Sequence, residues 1–257
     1  MRIAVAGGTG VVGRHVVTAL HRAGHDPVVL ARSTGVDLST GDGLQHALQG
    51  AVAVIDVSNI ATTNANRSRA FFQAATGHLL AAGGRAGIAH HVALSIVGVD
   101  RVPAGYYAGK LVQERLVQRG ATPWTVLRAT QFHEFAGQIL ARTPGPVAVV
   151  PQMRTRPVAA SEVASALVEL ATGSAQGLAP ELAGPQEREL VELCRQVLRS
   201  QGSHRRVLPV RLPGRTGRAM REGALLPTVP GRRGHVCFND WLTSEGLDET
   251  GSSRSPS

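Results

Sequence analysis

Arg2-Ile3-Ala4-Val5-Ala6 runs directly into Gly7-Gly8-Thr9-Gly10-Val11-Val12-Gly13, and an amphipathic stretch follows to about residue 23. The order is strand, glycine turn, helix. Gly7, Gly10 and Gly13 satisfy G-x-x-G-x-x-G, while Gly8, Gly10 and Gly13 satisfy G-x-G-x-x-G. Either register serves the same chemistry. Absent side chains let the backbone approach a pyrophosphate, and the free N–H groups of the helix N-terminus face its charge. Gly7, Thr9, Gly10, Val11, Val12 and Gly13 are therefore the candidate dinucleotide contacts. A purely structural turn is the alternative, and the position between a buried-type strand and a helix favours the dinucleotide.

Working outward, residues 27–31 read as a second strand that ends at Arg32-Ser33. That is about 20 residues beyond the glycines, where a site for NAD places an acid on the ribose 2′-hydroxyl. No acid stands there. Arg32, helped by the Ser33 hydroxyl, suits the 2′-phosphate of NADP instead, so NADP(H) is the expected cofactor with NAD(H) still open. Residues 35–38 are expected to form a short third strand. Asp37 within it either accepts from the adenine amino group or caps a helix over residues 41–49.

Further strands are expected at residues 51–56, 90–95, 124–128 and 146–150, separated by helices over about 64–82 and 106–119. Continuous apolar strands alternating with helices predict an α/β fold, a doubly wound parallel sheet of the NAD(P)-binding Rossmann type. Ligands of such sheets bind at the carboxyl edge, which places Ser58, Ser95 and Ile96 beside the glycine turn. Phe132 and His133, after the strand over 124–128, are further candidate substrate contacts. The division expected is a Rossmann core over 1–150, a small substrate-facing elaboration over 151–246 and a disordered tail over 247–257.

Tyr106-Tyr107-Ala108-Gly109-Lys110 holds both tyrosines of the chain and its one lysine, since the rest of the 27 Lys+Arg residues are arginines. A chain that otherwise writes positive charge as Arg asks of this Lys something a planar guanidinium does not do. The four-residue spacing sets Tyr106 and Lys110 on one helical face, whereas Tyr107 reads as packing.

The 257 residues fit one α/β domain with an elaborated end. The net charge of +9 comes from arginines spread through the chain, without an aromatic ladder or finger motif, so no nucleic-acid partner is expected. No apolar run approaches the roughly 18 residues of a membrane span, and residues 1–6 lead straight into the glycines. The expected setting is cytoplasmic, with no membrane partner. Cys194 and Cys237 lack metal or disulfide spacing, and the histidines show no ligand pattern, so no metal is expected. Monomer and homodimer both remain open.

The combination GGTGVVG, Ser95 and YYAGK, with WTVLRATQFHEF and RPVAASEVA after it, resembles the atypical short-chain dehydrogenase/reductases. More narrowly it is similar to their NAD(P)H-binding, NmrA-like and sugar-epimerase-like group of actinobacterial type. The resemblance covers most of residues 1–175. It implies an NADP-preferring oxidoreductase that transfers hydride to a small carbonyl or quinone-like molecule. It also implies Tyr106 as the acid or base, Lys110 as the holder of the nicotinamide ribose that favours the tyrosinate, and Ser95 as the group orienting the carbonyl. A non-catalytic NAD(P)-sensing regulator is the competing expectation, and a nucleotide-sugar epimerase or dehydratase the next.

Overall fold

A computed structural model describes residues 1–244. Residues 247–257, expected to form a disordered tail, lie outside the described residues. In chain order the first elements are β1 (Arg2–Ala6), α1 (Val11–Arg22), β2 (Asp26–Leu30), α2 (Leu44–Ala47), β3 (Ala53–Asp56), α3 (Ala65–Ala86), β4 (His90–Ile96), α4 (Tyr106–Arg119) and β5 (Trp124–Ala129). There follow α5 (Phe135–Ala141), β6 (Val147–Pro151), β7 (Arg154–Thr155), α6 (Ala160–Thr172), β8 (Gly177–Leu178), β9 (Leu182–Ala183) and β10 (Arg188–Glu189). The described chain ends with α7 (Leu190–Ser200), β11 (Arg206–Val210), α8 (Gly214–Arg221), β12 (Arg232–Arg233) and α9 (Phe238–Ser244). These elements divide into two units, one of Met1–Ala129 with Ala160–Glu181, the other of Thr130–Ala159 with Leu182 onward.

In the first unit the strands run β2-β1-β3-β4-β5-β8, every pair parallel. The sheet is doubly wound, because the chain moves one way from β1 to β2 and the other way from β1 to β3. Period-two alternation sorts the strand residues between faces. Ala4, Ala6, Leu30 and Val54 pack with Leu44 and Leu48 around α2 and with Leu79 and Ala82 of α3. Ala93 of β4 packs with Val117 of α4 and Val126 of β5. By the same alternation His91 and Ser95 share the α4 face of β4 with Ala93.

The helices bury the stripes their sequences carry. α1 buries Val12, Gly13, Val16 and Leu20, and α3 buries Phe72, Ala75, Thr76, Leu79, Ala82 and Gly83 among others, both at three- and four-residue spacing. α3 starts on the Asn64 side chain, which accepts from Arg67 N at 3.0 Å, and stops at Gly87 in the left-handed region. Gly109 is where α4 meets α3, since an added Cβ there would lie 2.1 Å from Ser68 Oγ and 2.5 Å from Ser68 O. Ser68 Oγ also donates to the Tyr106 carbonyl at 2.8 Å, fixing the first turn of α4 on α3.

Two expected strands differ. Residues 35–38 form no strand, because Gly35, Gly41 and Gly43 all take positive φ and the intervening chain folds on itself through Gly41 N to Asp37 O (2.8 Å) and Asp37 N to Asp42 O (3.1 Å). The strand near residues 146–150 exists as β6, but it pairs with β11 in a separate two-stranded sheet of the second unit. Its alternating burial, with Val147 and Val149 exposed and Ala148 and Val150 fully covered, suits a sheet packed on one face only.

The second unit also holds the antiparallel pair β7-β10 and the parallel pair β9-β12. His133, Phe238 and Trp241 form an aromatic cluster there, with ring centroids 5.4 to 5.5 Å apart. Cys194 and Cys237 are free thiols, and burial pushes Cys194 up to about 12, which makes it a packing residue. Among the described residues no helix is long and apolar enough to cross a membrane, and no group of three or more His, Cys, Asp or Glu is placed to hold a metal ion.

Candidate functional site

The glycine turn sits at the switch point between β1 and β3. Gly7 takes φ +80°, donates its N–H to Leu30 O at 3.1 Å, and accepts from Gly10 N at 2.9 Å. A Cβ on Gly7 would come within 2.8 Å of Val57 O and 2.9 Å of Ser58 Cα. The turn and the Val57-Ser58 segment are thus in backbone contact, bringing together the glycines and Ser58. The α1 ladder begins at Arg14 N to Gly10 O (3.0 Å), so the N–H groups of Val11, Val12 and Gly13 precede it. No side chain caps this end, and no acid occupies its first turn. Thr9 and Gly10 are exposed beside these donors. The arrangement fits an anionic diphosphate.

Arg32 opens a short 3-10 turn just past β2, is exposed, and among the described residues has no hydrogen-bond or ion-pair partner for its guanidinium. Ser33 beside it is exposed as well. Thr34 closes that turn, its hydroxyl donating to Val29 O at 2.8 Å. Asp37 resolves one of its two alternatives: its Oδ1 accepts from Ser39 N at 2.7 Å, while the helix over residues 44–47 starts from Gly43, so Asp37 caps a turn and not that helix. Ser58 is buried, with Oγ lacking a partner among the described residues.

Ser95 stands one residue before the end of β4, on the α4 face, 2% exposed, and its Oγ likewise has no partner among the described residues. A buried hydroxyl in that state fits a site completed by a ligand. Ile96 follows it, part-buried. α4 begins where β4 ends and runs back along the sheet, so Tyr106 stands one turn, about 6 Å, nearer the carboxyl edge than Lys110.

Lys110 is 3% exposed, with Nζ donating to Leu94 O at 2.6 Å and to Gln113 Oε1, and lying 4.9 Å from the Phe72 ring centroid. Gln113 Nε2 in turn donates to Asp56 Oδ2 at 2.8 Å, and Asp56 Oδ1 accepts from Ser58 N at 3.0 Å. Burial lowers Lys110 to about 8, although Asp56 and Glu114 both oppose that shift. His91 Nε2 lies 4.0 Å from Asp56 Oδ2. At that separation the contact is no hydrogen bond, and burial holds the imidazole below its ordinary value despite Asp56, so His91 is neutral.

Tyr106 is half-buried, edge-on to Phe72 and to Tyr107, and its hydroxyl has no hydrogen-bond partner among the described residues. Burial pushes its phenol far above the ordinary tyrosine value, with Tyr107 and Asp56 acting the same way. The expected electrostatic help from Lys110 does not outweigh this, because desolvation dominates. Tyr106 is therefore protonated at neutral pH, a donor more than a base. Burial raises Tyr107 to about 12, in keeping with packing.

Phe132 and His133 belong to the second unit. Phe132 bridges to Val158, and His133 is 1% exposed, with Nε2 3.0 Å from Val236 O and its ring against Phe238 and Trp241. Asp56 and Gln113 were not among the sequence candidates. Gln113 had a signal, being three residues after Lys110 on the same helical face. Asp56 had only its place at the end of an apolar strand.

No protein-family model matches the chain, and no curated protein matches it. Solved structures do. A UDP-N-acetylglucosamine 4-epimerase from Bacillus cereus is 16% identical at TM-score 0.70, covering 100% of this chain and 99% of that one. A short-chain dehydrogenase/reductase superfamily protein from Agrobacterium tumefaciens with bound NAD is 18% identical at TM-score 0.68, covering 97% of each chain. An NADPH-dependent quinone oxidoreductase from Escherichia coli is 16% identical at TM-score 0.64, covering 94% of this chain and 98% of that one. The likeness establishes the fold: this chain shares the Rossmann-like architecture of these structures.

Proposed function

We propose that this chain is an NADP-preferring reductase of the atypical short-chain class that delivers hydride to a small carbonyl or quinone-like molecule. The observation that carries the reading is a protonated Tyr106 and a buried Lys110 four residues apart on the first turns of α4, which packs on the sheet face that carries Ser95, whose hydroxyl has no partner among the described residues. The superfamily neighbours that bind NAD or use NADPH lend it support.

The residues named for the cofactor fit it: the backbone of Gly7, Thr9, Gly10, Val11, Val12 and Gly13 for the diphosphate, Arg32 and Ser33 for the 2′-phosphate, and Ser58 and Lys110 for the ribose side. When bound, the nicotinamide supplies the hydride. Ser95 orients the substrate oxygen. Tyr106 gives its phenolic proton to that oxygen as negative charge develops there, and Lys110 keeps a fixed positive charge below the reacting edge.

The test is cofactor oxidation measured across a panel of aldehydes, ketones and quinones with NADPH and with NADH, for wild type and Arg32→Asp. NADPH-dependent turnover in the wild type, with the NADPH over NADH ratio falling at least tenfold in Arg32→Asp, is the expected result. An unchanged ratio would remove Arg32 from the cofactor site. Tight NADPH binding with no turnover on any substrate would instead identify a sensor, and interconversion of a UDP-sugar without net NADPH oxidation an epimerase.

A further inference from the structure

The reading of Tyr106 and Lys110 leaves a buried carboxylate and a buried amide without a role. Asp56 is fully buried on β3, and Gln113 is 1% exposed on α4. The chain Lys110 Nζ to Gln113 Oε1, Gln113 Nε2 to Asp56 Oδ2 and Asp56 Oδ1 to Ser58 N links the helix, the strand and the segment that touches the glycine turn. We propose that Asp56 and Gln113 are positioning residues for Lys110, holding it against β4 as a charged ammonium with one N–H uncommitted. This rests on the catalytic reading above only for its purpose, not for its geometry.

The side-chain types carry the argument. An ammonium only donates and a carboxylate only accepts, so the group bridging them must accept on one side and donate on the other. A primary amide does both, and its two neighbours fix which way it faces. Removing the bridge takes an acceptor from the buried ammonium and a donor from the buried carboxylate, and removing the carboxylate takes a nearby anion from the ammonium.

The other groups facing Lys110 do not replace Asp56. Glu114 of α4 is bound by Arg128, Nη2 to Oε2 at 2.8 Å and Nε to Oε1 at 2.9 Å, which offsets its charge. His91 of β4 is neutral, and Tyr106 and Tyr107 of α4 are protonated. α3 offers the Phe72 ring, which favours a cation over it, and the uncharged Ser68. Among the described residues Asp56 is thus the carboxylate of this set that no arginine pairs with.

The composition makes this directly measurable, because Lys110 is the only lysine. Protein grown with [13Cε]lysine gives a single side-chain resonance whose shift follows the ammonium through its titration, with no cofactor or substrate present. The folded value lies below that of a free lysine, so the ammonium is present below about pH 8 and is lost above it. In wild type the resonance is expected to titrate near pH 8. In Asp56→Asn, which removes the nearby carboxylate, the midpoint falls by about one unit or more, and in Gln113→Met, which removes the bridge between ammonium and carboxylate, it falls as well. Midpoints in both variants within about 0.2 units of wild type would overturn the proposal, and if Asp56→Asn does not fold, Gln113→Met alone decides it by the same criterion. The titration reports on the relay whether or not the protein reduces anything. If the midpoints move as stated and no variant or wild type turns over NADPH, the relay stands and the catalytic reading falls.

Discussion

Gly13→Ala is expected to cost this protein both its cofactor site and much of its stability. The new Cβ would lie 2.1 Å from Gly7 O, 2.7 Å from Gly8 Cα and 2.8 Å from Gly8 C. All three are backbone atoms of the turn. No rotamer change can relieve the contact, so the turn and α1 must separate. Overpacking of this kind costs about 1–3 kcal/mol, and at roughly 2–4 °C per kcal/mol in a chain of this size the melting temperature should fall by about 2–12 °C. NADPH affinity should fall by tenfold or more, since displacement of the turn moves the N–H groups of Val11, Val12 and Gly13 from the diphosphate. The control is Gly77→Ala inside α3, where an added Cβ meets nothing within 4 Å. There the helix gains about 0.5–1 kcal/mol. Thermal melts and NADPH titrations of the two variants check this, and a Gly13→Ala protein that melts and binds like wild type would refute the close-approach account of the turn.

Tyr106→Phe carries the second large effect. Its hydroxyl has no partner among the described residues, so removing it breaks no internal hydrogen bond and the melting temperature should stay within about 1 °C of wild type. If the phenol is the proton donor, kcat falls by about 10²–10⁴ while NADPH affinity changes little. Tyr107→Phe should leave kcat within about twofold. Steady-state kinetics on the best panel substrate separates the two, and equal losses in both variants would mean that the pair acts through packing.

The glycine turn and the bounds of α4 were legible because each is a local matter. Gly7 to Gly13 encode a backbone approach, and the stretch from Tyr106 to Arg119 is helical in both the sequence pattern and the structure. The strand expected at residues 35–38 was not, because Val36-Asp37-Leu38 has strand composition while the glycines on either side set the chain into turns. β6 was legible as a strand but not in its partner, since pairing with β11 depends on residues almost 60 positions away. The same limit hid the relay. Gln113 and Asp56 are separated by 57 positions and meet only when α4 lies on the sheet. His133 follows β5 in sequence, as the site reading supposed, yet its ring is held in a cluster with Phe238 and Trp241 that no local pattern announces. Lys110 stood out by composition alone. Its burial, and the phenol that stays protonated beside it, required the fold.

The most direct test of the central claim is isotope transfer. Wild-type protein incubated with NADPH deuterated at nicotinamide C4, on one face and then the other, and with the carbonyl and quinone panel, is examined for deuterium in the reduced product by mass spectrometry. Aldehyde or ketone products should carry deuterium on the reduced carbon from one face only, and where a quinone is the substrate its consumption should match the loss of the C4 label. Recovery of NADPH with its label intact and every panel compound unreduced would contradict the account.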